Sequence, residues 1–206
     1  MRNPLASIKG AADLLGDTAG DDGPRARMLA IIREETARLN DVLTRFLAFA
    51  RPRPGQHQRL DLRDEVSRLG DLLGHREAAP TVAVDPGRDP LPVHGDLDQL
   101  RQLLLNVGLN AAQAAGPAPG GRVEVAAARV GDHVEVAITD NGPGFSADAA
   151  ANLGTPFFTT REGGTGLGLA TSLRIARDHQ GDLTIDAARG PGACVRVRLP
   201  LATEAR

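Results

Sequence analysis

Apolar residues recur at spacings of three and four along 3–15 (Leu5, Ile8, Ala12, Leu15), which predicts an amphipathic helix. Asn3 followed by Pro4 supplies an N-cap with proline at the first helical position. A polar, glycine-rich turn follows over 16–24, and a long helix is predicted from about 24 to 50. Its apolar positions are Met28, Ile32, Leu39, Val42 or Leu43, Phe46 and Phe49, a repeat nearer 3.5 than 3.6 over about 40 Å. Neither helix of such a hairpin can bury its seam alone. Pairing with a second copy as a four-helix bundle, a homodimer through 1–50, is the expected solution.

The run Arg51-Pro52-Arg53-Pro54-Gly55 ends this helix and reads as an interdomain linker over 51–59. Beyond it the pattern is mixed. Residues 60–73 are helical, 81–84 form a short strand, and 95–115 form a strong amphipathic helix. Clean alternation over 122–128 and 133–139 (Val123, Val125; Val134, Val136, Ile138) predicts a hairpin turning at Gly131-Asp132. Residues 166–179 are helical, and 182–187 with 193–199 form a second hairpin. In its last strand Val195, Val197 and Leu199 face the core while Arg196 and Arg198 face water. The expected class is α+β: a two-layer sandwich over 60–206, one sheet face covered by three helices.

Three stretches carry chemistry. Asp140-Asn141-Gly142-Pro143-Gly144 follows a strand, so an acid and two glycines project from the sheet's end. A carboxylate is the partner an exocyclic adenine amine requires, and Gly142 and Gly144 let backbone approach a planar ring; the same string is also a good turn. Gly163-Gly164-Thr165-Gly166-Leu167-Gly168 leads directly into a helix, placing backbone N–H groups and the positive helix end together as a phosphate site. No Gly-Lys-Ser/Thr follows, so it is no Walker loop, and no strand precedes it as a dinucleotide fingerprint requires. Between these two motifs, 145–162 reads as a lid, with adjacent Phe157 and Phe158 to anchor it and Arg161 to reach a terminal phosphate. On the 95–115 helix, Asn106 and Asn110 are four apart and share one face, a spacing suited to Mg2+ coordination beside phosphate oxygens.

Composition narrows the field. The net charge of −2 gives no electrostatic footprint for nucleic acid, and five Phe with neither Trp nor Tyr disfavour base stacking. The single cysteine, Cys194, excludes an intrachain disulfide and reads as a buried small hydrophobe. No apolar stretch approaches the ~20 residues that span a bilayer, and 1–10 has no signal-peptide core, so a cytoplasmic setting is expected.

With these motifs in this order, the chain resembles the C-terminal transmitter of bacterial sensor histidine kinases, of the nitrogen-regulatory sort. Residues 3–15 (NPLASIKGAADLL) resemble the end of the family's H box, 103–115 its N box, 140–144 its G1 box, 156–160 its F box and 164–168 its G2 box. The resemblance implies a Bergerat-type ATP-binding domain with a mixed sheet. It places Asp140 on adenine, Asn110 on Mg2+, and the amides of Gly164, Gly166 and Gly168 on the phosphates of ATP. Phe158, Thr159, Thr160, Thr165 and Leu167 line the same nucleotide loop by the same resemblance. Asn106 stands where related gyrase-type ATPases carry a water-activating glutamate. An amide cannot take that proton, which favours transfer to a protein acceptor over hydrolysis.

One departure bears on activity. The family's acceptor histidine lies four residues before the asparagine that matches Asn3, so it would precede Met1. Asn3, the family's phosphatase-type position, sits beside the chain terminus. The sequence therefore predicts a histidine kinase module that phosphorylates a histidine in trans for relay to a response regulator receiver domain. The competing expectation is a non-catalytic nucleotide-binding dimerisation partner that modulates an intact kinase or regulator. An ATPase of the gyrase type would need a carboxylate base, and Asp98 is poorly placed for it.

Overall fold

In the computed structural model, the described residues are 4–17, 22–50, 55–117, 119–160, 164–186 and 192–202. Asn3, Arg161 and the proline-rich run 51–54 lie outside them. The chain divides into two compact units, Met1–Arg53 with Arg161–Thr165, and Pro54–Thr160 with Gly166–Arg206.

The first unit is built on two helices, α1 (Pro4–Asp17) and α2 (Asp22–Ala50), which pack on each other. Helix α2 starts two residues earlier than its proline suggests. Pro24 falls in the first turn, where a missing N–H has no intrahelical partner to lose. Ile8 and Leu15 are half-buried, but Ala11 rather than Ala12 is the residue sealed between them. On α2, Met28, Ile32 and Leu39 are half-buried, whereas Leu29 and Leu43 stand in solvent, so Leu43 is off the seam. The side chains of Val42, Phe46 and Phe49 lie outside the described set.

The second unit holds two sheets. Strand β1 (His57–Asp61) pairs antiparallel with β3 (Pro92–Asp96). Periodicity shows neither: β1 falls in the stretch that reads as linker and helix onset, and the last two residues of β3, 95 and 96, read as the start of a helix. The main sheet has the order β2-β4-β5-β7-β6, formed by β2 (Thr81–Asp85), β4 (Arg122–Val130), β5 (His133–Asp140), β7 (Ala193–Pro200) and β6 (Asp182–Asp186). Only the β2–β4 pair is parallel, which makes the sheet mixed.

Helices α3 (Leu62–Gly74), α4 (Leu97–Ala115) and α6 (Gly168–Asp178) cover one face. Alternation sets this up. Val134, Val136 and Ile138 of β5 point to the helices, and Ile138 is flanked in register by Val125 of β4 and Val195 of β7. Leu100, Leu103, Leu104 and Val107 of α4 meet them from above. Both α3 and α4 start on an aspartate. Asp61 Oδ1 accepts Arg63 N–H at 3.1 Å and Asp96 Oδ1 accepts Gln99 N–H at 2.9 Å.

On the opposite sheet face, Glu135 accepts from Arg196 at 3.0 Å and from Arg198 at 2.7 Å, while Arg196 also reaches Asp186 at 3.5 Å. Burial opposes ionisation of Glu135 and is its largest single influence, but the two guanidiniums together hold its carboxyl below the ordinary range. Cys194 is buried, as its apolar surroundings in the strand predict.

Candidate functional site

Parity on β5 delivers the first group. Asp140 continues the inward series of Val134, Val136 and Ile138, so a carboxylate arrives on the helix-covered side of the sheet, where it is 7% exposed. Its Oδ1 accepts the N–H of Gly142 at 2.9 Å, closing an Asx turn. Gly142 rides against the last turn of α4. A Cβ there would lie 2.4 Å from the carbonyl oxygen of Ala114, so no side chain fits. Beside it, Asn141 accepts Arg122 N–H at 2.8 Å and donates to Gly120 O at 2.7 Å, fastening the loop to the start of β4.

The second group comes from α4 itself. Asn106 and Asn110 are both half-buried on one face. Asn106 Nδ2 donates to the carbonyl of Gly168 at 3.4 Å, and Asn110 Nδ2 lies 3.8 Å from where a Cβ on Gly168 would sit. Helix α4 is thus the shared wall, carrying the two asparagines toward the first residue of α6 and Ala114 toward the Asp140 loop.

The third group is the start of α6. Leu167 is buried at the N-cap position of α6, where its own side chain makes no capping hydrogen bond. Ser172, fully buried, was not singled out in the sequence. Its hydroxyl lies 3.0 Å from Gly168 O and 3.4 Å from Leu103 O, tying the first turn of α6 to α4. A lone serine in a helix gives no signal of this before the two helices are seen together.

The loop between 145 and 160 is more ordered than its composition suggests. It contains a short helix, α5 (Ala147–Ala151), capped by Ser146. Phe157 has φ +66 and is half exposed, while Phe158 and Thr159 are half-buried and Thr160 is exposed. Phe157 N–H donates to Gly166 O at 3.1 Å, and Gly166 itself has φ +68. Gly144, with φ +77, abuts Gly192 O, which a Cβ would meet at 2.7 Å. Of the other sequence-nominated residues, Gly164 and Thr165 belong to the first unit.

An inward carboxylate, two carboxamides and a helix N-terminus grouped around α4 suit a polyanion attached to a planar base. Among the described residues there is no group of three His, Cys, Asp or Glu able to hold a metal. A divalent ion here would rely on phosphate and water oxygens with an amide oxygen, a donor set that fits Mg2+ arriving with a nucleotide and to which Asn110 could contribute.

Comparison with known proteins identifies the family and the fold. Residues 95–203 match the family described as histidine kinase-, DNA gyrase B-, and HSP90-like ATPase, and residues 1–55 match the His Kinase A (phospho-acceptor) domain. Sensor histidine kinase ZraS of Klebsiella oxytoca is 33% identical over 98% of this chain, and sporulation kinase C of Bacillus subtilis is 30% identical over 99%. The chain spans 44% and 47% of those proteins, less than half of each. Among solved structures, the mycobacterial sensor histidine kinase MprB is 32% identical, with a TM-score of 0.63 over 71% of this chain and 98% of that one. Full-length ShkA in complex with AMPPNP is 26% identical, with a TM-score of 0.72 over 100% of this chain and 44% of that one. No helix among the described residues is long and apolar enough to cross a membrane. The chain belongs to the histidine kinase-, DNA gyrase B- and HSP90-like ATPase family.

Proposed function

We propose that this chain is the kinase module of a two-component system, transferring the γ-phosphoryl of Mg-ATP to a histidine for relay to a response regulator aspartate. The observation that carries the reading is the Asn106–Gly168 contact, which sets the asparagine-bearing face of α4 against the first residue of α6. Asp140 would accept from the adenine amine. Asn110 would hold Mg2+, and the amides of Gly164, Gly166 and Gly168 would bind the phosphates, with Phe158, Thr159, Thr160, Arg161, Thr165 and Leu167 as the further ATP-binding positions. Bound Mg2+ supplies charge neutralisation to the phosphate oxygens. The protein's own contribution is positioning and fixed dipoles rather than proton abstraction. Asp98 supports this: its side chain is 95% exposed and paired at 3.9 Å with Arg101, so it is turned away from any role as base.

In this reading 1–50 is the dimerisation hairpin, 60–206 the ATP-binding domain and the stretch between them the linker. Exposed Leu29 and Leu43, fourteen residues and so two heptads apart, support a second copy as the hairpin's partner. The NPLASIKG segment supports the nitrogen-regulatory sort, with Asn3 at the phosphatase-type position. ThkA, solved with the response regulator TrrA, shares the fold at a TM-score of 0.79 and 23% identity. A receiver domain is the partner we propose for this chain, in the cytoplasm.

No histidine occurs among residues 1–56, so the test supplies one on a second chain. The protein is mixed with Mg-ATP and a catalytically dead homologous dimer that carries the H box. Acid-labile phosphate should appear on the added chain. Its absence while ATP still binds would overturn the kinase reading in favour of a non-catalytic nucleotide-binding partner.

A further inference from the structure

Helix α6 is tied to α4 at both of its ends. At one end Asn106 reaches Gly168; at the other, the N-cap of α4 meets the C-cap of α6. There the backbone N–H of Asp96 donates to Nε2 of His179 at 3.0 Å, while His179 Nδ1 lies 2.7 Å from the carbonyl oxygen of Ile175. A backbone N–H can only donate and a carbonyl can only accept. The ring is therefore neutral, with its proton on Nδ1 and its lone pair on Nε2.

The first residues of the ATP-binding unit are fastened to the same junction. Gln56 N–H donates to Asp96 Oδ2 at 2.7 Å, and the His57 ring stacks on His179 with centroids 4.9 Å apart and planes 10° apart. Packing leaves little slack, since a Cβ on Gly95 would fall 2.5 Å from His179 Cδ2.

We propose that His179 is a positioning residue whose neutral imidazole clasps Gln56 and His57, through Asp96, to the paired ends of α4 and α6. The clasp couples the chain arriving from the helical hairpin to the two helices that bear the nucleotide-site residues. This rests on the nucleotide-site reading above only for its consequence, not for the clasp itself.

Protonation undoes it. A proton on Nε2 removes the acceptor and faces Asp96 N–H with another N–H. The groups around the ring divide by sign. His57, with His94 at 5.9 Å beyond it, stands on the side that disfavours a charge on the His179 ring, whereas Asp96 and Asp178 favour one. Burial of the ring is the largest influence and pushes His179 below its usual value of 6.5, so the clasp is closed at neutral pH.

The test is amide hydrogen exchange on the whole chain, corrected for intrinsic rates, between about pH 7.5 and 5. Below the ring's pKa, protection at Gln56 and Asp96 should fall about tenfold per pH unit. His179→Gln keeps an N–H donor and an oxygen acceptor but cannot gain a proton. It should retain protection at both amides with no acid loss, while His179→Ala should lose protection at all pH values. Affinity for a fluorescent ATP analogue should fall in acid in the native chain and stay flat in His179→Gln. Acid-independent protection in the native chain, or equal acid loss in His179→Gln, overturns the clasp. Failure to bind nucleotide at any pH would sink the functional reading and leave the exchange result standing.

Discussion

The carbonyl of Gly166 accepts the N–H of Phe157 at 3.1 Å, so backbone joins the glycine motif to the phenylalanine pair. Gly166 is held at φ +68, and a Cβ there would lie 2.4 Å from the Phe157 carbonyl carbon and 2.7 Å from Phe158 N. Gly166→Ala meets both a conformational penalty of about 1–2 kcal/mol and a clash with rigid backbone. It should abolish detectable ATP binding by calorimetry while leaving the far-ultraviolet circular dichroism of the domain intact.

Asn110→Asp adds a negative charge to the half-buried face of α4 that lies against Gly168. Beside a polyphosphate this charge should weaken ATP binding at least about tenfold, roughly 1.4 kcal/mol, measured by titration in the presence of Mg2+. Retained affinity in both this variant and Gly166→Ala would place the nucleotide elsewhere.

Helix α6 ends in a Schellman arrangement: Gly181 N–H bonds to Ala176 O at 2.8 Å and Gln180 N–H to Arg177 O at 2.9 Å. The left-handed position is held by Gln180, at φ +58, rather than by glycine. The adjacent Gly181 cannot be exchanged with it, because a Cβ there would fall 2.1 Å from Arg198 O. Gln180→Gly should therefore stabilise the domain by about 1 kcal/mol, read as a rise in denaturant midpoint at unchanged slope.

Acid should weaken the start of α3. A side-chain hydrogen bond from Arg63 is the main cause that holds the Asp61 carboxyl below its usual value of 3.8, assisted by backbone N–H groups of Arg63 and Leu91. A depressed carboxylate contributes stability that is present above its unfolded value and lost as pH falls through its folded one. Asp61→Asn keeps an acceptor for the helix cap but not the ion pair. The stability difference between native chain and variant should be constant above about pH 5 and shrink below 3.8, by urea titration at each pH.

Much of the sandwich was legible because its strands alternate. Val123 and Val125, Val134 through Ile138, and Val195 through Leu199 each announce one buried face, and the structure pairs them in that register. Asp140 was legible for the same reason, as the end of an alternating strand. Strands β1 and β3 were not. Five residues each, they contain too few apolar positions to show a period, and their partner is more than thirty residues away. Residues 95 and 96 also precede a helix so closely that they read as its first turn, although Asp96 is its cap. The histidine junction was invisible for a plainer reason: positions 57, 94 and 179 meet only when the chain is folded.

The charge ladder of Glu135, Arg196 and Arg198 has a consequence for behaviour at high concentration. These residues lie mid-strand on the side of the β-layer that the helices leave uncovered, with their countercharges already engaged. A neighbouring molecule seeking to stack there would have to strip water from three ions. The domain thus has a built-in reason to stay dispersed along this flank, leaving productive encounters to its other surfaces.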